Sequence, residues 1–118
     1  MTAWPAALAL CVCATAWAGE AEVVDAVADC DTARVCRFTV TVRHADAGWE
    51  HYADAWEVQA PDGTVLGRRV LLHPHDTEQP FTRSLDGVRI PAGVDTVRVR
   101  AHDSVHGWGD APVTVPIR

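Results

Sequence analysis

Lysine and asparagine are absent from this 118-residue sequence, isoleucine occurs only twice, and the one methionine is Met1. All ten basic residues are arginine, set against 16 acidic ones, for a net charge of −6. This loss of AT-rich codons points to a GC-rich bacterial genome and says nothing of the protein's physics. The missing positive charge does: nucleic acid requires clustered cations to displace counterions, so the chain is not expected to bind it. A polybasic membrane surface is excluded on the same ground. No stretch repeats apolar residues at helical spacing. There is no glycine-rich phosphate loop and no GxSxG elbow.

The first eighteen residues, MTAWPAALALCVCATAWA, carry no charged side chain. They form an apolar run closed by Ala16-Trp17-Ala18, the small-x-small pattern of a cleavage site. A span of the bilayer needs about 20 apolar residues, and no second apolar run follows. We therefore expect residues 1–18 to be a secretory signal peptide and 19–118 a single domain, periplasmic or secreted, with no membrane span after cleavage. Cys11 follows Leu10, where a lipid acceptor wants a small residue, which argues against lipidation. Cys30 and Cys36 remain. Five intervening residues are too many for a CxxC redox pair, and in an oxidising compartment the pair reads as a disulfide.

Beyond the leader, short apolar runs alternate with turn signals. Seven strands are predicted, at about 21–29, 35–44, 54–60, 64–72, 81–86, 95–102 and 111–117. In the second, Cys36, Phe38, Val40 and Val42 share one face; in the sixth, Val97, Val99 and Ala101 do. Asp62-Gly63 is a strong hairpin signal and Ile90-Pro91-Ala92-Gly93 a second turn. Seven short strands in about 100 residues imply an all-β fold, an immunoglobulin-like antiparallel β-sandwich. The stretch SLDGVRIPAGVDTVRVRAHDS resembles the fifth-to-sixth strand segment of fibronectin type III and other immunoglobulin-like domains, and Trp56 falls where such sandwiches bury a tryptophan. That resemblance implies a fold and no activity. The strings HADAGWEHYADAWEV, LLHPHDTEQPFTRSL and RAHDSVHGWG resemble an uncharacterised family of small secreted proteobacterial proteins, which implies a periplasmic address.

Six histidines stand out, and each lies at or just beyond the carboxyl end of an even-numbered strand: His44 and His51, His73 and His75, His102 and His106. In an immunoglobulin-like order those three strands run the same way, so their ends meet at one pole. The Cys30–Cys36 loop and the Asp62-Gly63 turn belong at the other. Imidazole suits zinc, copper or nickel. His73 and His75 flank a stiffening proline, and His102 and His106 have an i, i+4 spacing that can chelate. These four are the leading ligand candidates, with His44 and His51 as further ligands and Asp103 as an orienter of a ligand. With no methionine after Met1 and its cysteines oxidised, the chain disfavours soft Cu(I), leaving Zn²⁺ or Cu²⁺.

The same residues admit a plainer reading, in which the histidines hold turns and bond among Trp49, Tyr52 and Trp108. The expectation is thus a non-catalytic secreted binding module for a divalent transition metal. The alternative is a periplasmic protein-interaction module contacting its partner through Trp49, Tyr52 and Trp108, with structural histidines. A small hydrolase built on Asp103, Ser104 and His106 is a third class, weakened because a triad is a matter of geometry that one short loop rarely supplies. Arg68, Arg69, Arg83, Arg98 and Arg100 are expected on solvated sheet faces.

Overall fold

The computed structural model describes residues 19–118. The leader expected over residues 1–18, with Cys11 and Cys13, lies outside the described residues. What is described is all-β, with no helix among the described residues. The strands are β1 (Glu22–Cys30), β2 (Val35–Arg43), β3 (Ala53–Gln59), β4 (Val65–Val70), β5 (Phe81–Arg89), β6 (Thr96–Asp103), β7 (Gly107–Trp108) and β8 (Val113–Pro116). Every expected run forms a strand; the two-residue β7 is the addition. It is too short for any period to show in the sequence.

Two antiparallel sheets face one another. One has the order β1-β2-β5; the other runs β4-β3-β6-β7, with β8 also paired to β6. Alternation in β2 and β6 sets the core: Phe38, Val40, Val42, Val97 and Val99 are fully buried, and Trp56 and Phe81 close around them. Truncating Trp56 to Ala would cost about 3–5 kcal/mol in lost transfer energy and cavity.

The strand ends divide the molecule into two poles. At one, Cys30 faces Cys36 across the β1–β2 hairpin and is bonded to it. Closing so short a loop stabilises the fold by about 2 kcal/mol. The Arg34 side chain donates to the Pro91 oxygen at that end, tying this hairpin to the β5–β6 turn. The β3–β4 turn lies there too: Asp62 accepts the Thr64 amide at 2.9 Å, and Gly63 takes a φ of 92° that a side chain would resist. At the other pole β2, β4 and β6 all end. There the chain crosses between sheets twice, through residues 44–52 and 71–80, and these long loops carry the polar residues of interest.

Candidate metal centre

Asp103 ends β6 in the inward phase of the strand, so its carboxylate points into the molecule with no exposure. Its Oδ1 accepts the amides of Val105 (2.7 Å) and His106 (2.6 Å), which is the turn that ends the strand. Its Oδ2 faces three imidazoles: His44 Nε2 at 3.1 Å, His51 Nε2 at 3.2 Å and His106 Nδ1 at 3.1 Å. Burial by itself would raise the Asp103 pKa. The two amides and the His106 and His51 rings outweigh it, and the pKa falls to about 2. The group is a carboxylate at any ordinary pH.

His44 continues the inward phase of β2, and its side chain is almost wholly buried. On its far side Nδ1 lies 2.5 Å from Oδ1 of Asp46, a carboxylate with no side-chain exposure. Asp46 also accepts the amides of Ala53 (3.0 Å) and His75 (2.6 Å), so it stitches both crossover loops to the site. Gln79 reinforces the stitch, accepting the His44 amide and donating to the His75 oxygen.

These contacts set the tautomer. Nδ1 of His44 must carry the hydrogen given to Asp46, so Nε2 of a neutral ring is a bare lone pair. Yet Nε2 faces only oxygens: Asp103 Oδ2 and, at 3.0 Å, the main-chain oxygen of Gly19. Neither brings a hydrogen. His51 Nε2 meets the same two oxygens, at 3.2 Å each. The His51 ring brings a hydrogen or a lone pair there according to its tautomer, but the bare His44 nitrogen facing two oxygens calls for a cation, a second proton on His44 or a metal. The ligand atoms of His44, His51 and Asp103 all lie within 4.8 Å of one another. Edges of 3.1–3.2 Å compare with about 3.3 Å between ligands around tetrahedral zinc with bonds of about 2.0–2.1 Å. The set of two imidazoles and a carboxylate suits such an ion, and Asp46 behind His44 is the carboxylate–histidine arrangement that orients a ligand.

The six histidines do share the pole, but the four leading candidates do not converge. His73 is exposed, and its Nδ1 donates to the Pro74 oxygen. His75 is buried, stacked on Phe81 at 3.8 Å, and its Nε2 accepts from Arg83 at 3.0 Å. Desolvation, then the Arg83 charge, lowers its pKa. His102 lies in the outward phase of β6, where Nδ1 donates to Asp54 and the ring meets Trp108 edge-on. Only His106 of those four reaches the centre, at Asp103 Oδ2. The residues whose side chains do converge are His44, His51 and His106, all on Oδ2 of Asp103, which was expected behind a ligand and here lies among the imidazoles. Sequence reasoning missed Asp46, which sits in a loop where no periodicity applies; its signal was the His-Ala-Asp spacing just after a strand end.

The other candidates separate as well. Trp49 and Tyr52 pair edge-on at 5.6 Å, with Trp49 66% exposed. Trp108 lies instead under the Arg100 guanidinium, 4.4 Å from the ring centre. Arg68 and Arg100 lie partly exposed on the sheet face, as expected, and there both are also bound to the buried Glu57. Ser104 accepts the Tyr52 amide, and among the described residues no imidazole bonds it, so no triad forms.

No protein-family profile matches the chain. No solved structure matches it either, so the likeness to immunoglobulin-like domains rests on the quoted stretch and the two-sheet architecture. A protein of Halomicrobium mukohataei named "Putative lipoprotein" is 45% identical over 96 residues, covering 81% of this chain and 47% of the relative. The chain spans about half the length of that relative. The comparison lends no support to the expected proteobacterial affiliation. No helix among the described residues is long and apolar enough to cross a membrane.

Proposed function

We propose that the chain is a non-catalytic, extracytoplasmic binding module that holds one divalent transition ion, Zn²⁺ or Cu²⁺, through His44, His51 and Asp103. The observation that carries this reading is the His44 ring: its one hydrogen is committed to Asp46, while its other nitrogen looks at two oxygens that have none to give. His106 stands beside the site on the same carboxylate oxygen, able to close over it. The relative's name, a lipoprotein, fits an envelope address, either tethered or released. The test is calorimetric titration with Zn²⁺ and Cu²⁺ alone, with folding monitored by circular dichroism. Equimolar binding is expected for the native chain and for His73→Ala. It should vanish in the folded double variant His44→Ala/His51→Ala. Equal binding by native and double variant, or none by either, sinks the reading.

A second reading rests on Trp49, whose indole is exposed beside Tyr52 on the same pole. Aromatic side chains of this kind anchor protein interfaces. Here the partner is a protein of the same compartment and the histidines organise the loops that present the indole. It predicts that the chain binds neither Zn²⁺ nor Cu²⁺ tightly and that Trp49→Ala abolishes partner capture.

A further inference from the structure

The three side chains leave a coordination position, and the main chain already points into it. We propose that the carbonyl oxygen of Gly19 is the fourth ligand of the metal, so that binding of the ion seals the incoming segment, residues 19–21, onto the pole. The inference rests on the metal reading above and adds a consequence that the three side chains alone would not have.

Distances carry the first part. Gly19 O lies 3.0 Å from His44 Nε2 and 3.2 Å from His51 Nε2. Asp103 Oδ2 stands 3.1 and 3.2 Å from the same two nitrogens. The four atoms close a ring in which nitrogen and oxygen alternate, and Gly19 O occupies a place equivalent to that of the carboxylate oxygen. Main-chain carbonyl is a hard oxygen donor of the same kind as carboxylate, so with Asp103 and the two imidazoles it would complete a four-coordinate set of two nitrogens and two oxygens.

Close packing carries the second part. Gly19 has a φ of 101°, and a Cβ built on it would lie 2.2 Å from Cε1 of His106. Only glycine lets the main chain turn its oxygen inward while the His106 ring stays on Asp103. Two residues on, Ala21 is buried, and a Cβ on Gly109 would come 2.6 Å from the Ala21 oxygen. Glycines thus stand at both close approaches. The segment passes between the His106 ring and the chain at Gly109, and its seating and that of the site are one arrangement.

Metal occupancy therefore sets whether the chain leading into β1 is held at this pole or released from it. Hydrogen exchange on the full chain, with Zn²⁺ as the only addition, reads this directly. Saturating Zn²⁺ is expected to slow exchange of the Glu20 and Ala21 amides at least 10-fold. Gly19→Ala, which meets both the positive φ and the His106 ring, is expected to weaken Zn²⁺ binding about 10-fold. Unchanged exchange at those amides while Zn²⁺ binds, or native affinity in a folded Gly19→Ala chain, overturns the proposal and leaves the three-residue site standing. Absence of Zn²⁺ binding by the native chain overturns the metal reading itself.

Discussion

Two buried carboxylates, Glu57 and Asp103, lie on paired strands of the same sheet and meet their burial in opposite ways. Glu57, 1% exposed, receives one arginine fork on each oxygen: Arg68 on Oε2 and Arg100 on Oε1, with Gln59 donating to Oε1 as well. Arginine is always charged and has only hydrogens to offer. The charge of Glu57 is therefore answered within the fold. Asp103, with no exposure at all, is surrounded by imidazoles, which bring a hydrogen or a lone pair according to their tautomer. The Val105 and His106 amides answer its charge on Oδ1, whereas Oδ2 is met only by imidazoles and is answered by their protons or by an ion. The arginine set makes a structural brace, and the imidazole set makes a place that can take up and give back a cation.

Exchanging the character of the two groups should separate stability from binding. The largest effect is expected at Asp103→Asn, which removes a ligand and should weaken Zn²⁺ binding 100-fold or more, whereas Glu57→Gln leaves the affinity within about twofold. Calorimetric titration of both variants checks this; equal losses would erase the distinction between them. Asp46→Asn comes next. It touches no ion but frees the His44 ring, and loss of such an orienting partner typically costs about 10- to 100-fold in metal affinity. An unchanged affinity there would mean that His44 is not a ligand.

For Glu57→Gln the expected loss lies in folding stability, about 1–2 kcal/mol at neutral pH by urea unfolding, since both arginines remain partly exposed and can be solvated. Burial raises the Glu57 pKa, but the bonds from Arg68, Arg100 and Gln59 prevail and lower it below the ordinary 4.5. The unfolded chain thus takes up this proton first, and the stabilisation is lost as pH falls below about 4.5. Glu57→Gln should flatten that acid limb, leaving the Asp103 part between its ordinary 3.8 and about 2. An acid limb as steep in the variant as in the native chain would refute the assignment.

The smallest effect is expected at His75. Its lowered pKa means that the folded state keeps the ring neutral while the unfolded chain protonates near 6.5, so stability declines as pH drops below that value. His75→Gln should reduce this slope and leave Zn²⁺ binding intact. A loss of Zn²⁺ affinity would instead return His75 to the ligand set.

Strand positions were legible because alternation in β2 and β6 and the Asp62-Gly63 turn are local features, as was the Cys30–Cys36 pair. The common pole followed from strand direction, which alternation and connectivity also imply. Which imidazoles turn inward was not legible beyond the strand ends. His44 and His102 obey the phase of their strands, one in and one out, while His73 and His75 sit past β4, where the phase no longer applies. The Glu57 brace was hidden for a related reason: β3 is central in its sheet, so arginines from β4 and β6 fold over its outer face.

Read as a string, the chain determines its strands, its disulfide partners and the end of the molecule to which its histidines travel, because each depends on neighbours or on direction along the chain. Tertiary structure alone decided that His44, His51, Asp103 and the Gly19 oxygen meet, with Asp46 behind them. Those groups are separated by up to 84 positions (103 − 19). Only the packing of one sheet on the other brings both imidazole nitrogens within 3.2 Å of both oxygens, since no local preference acts across such a distance.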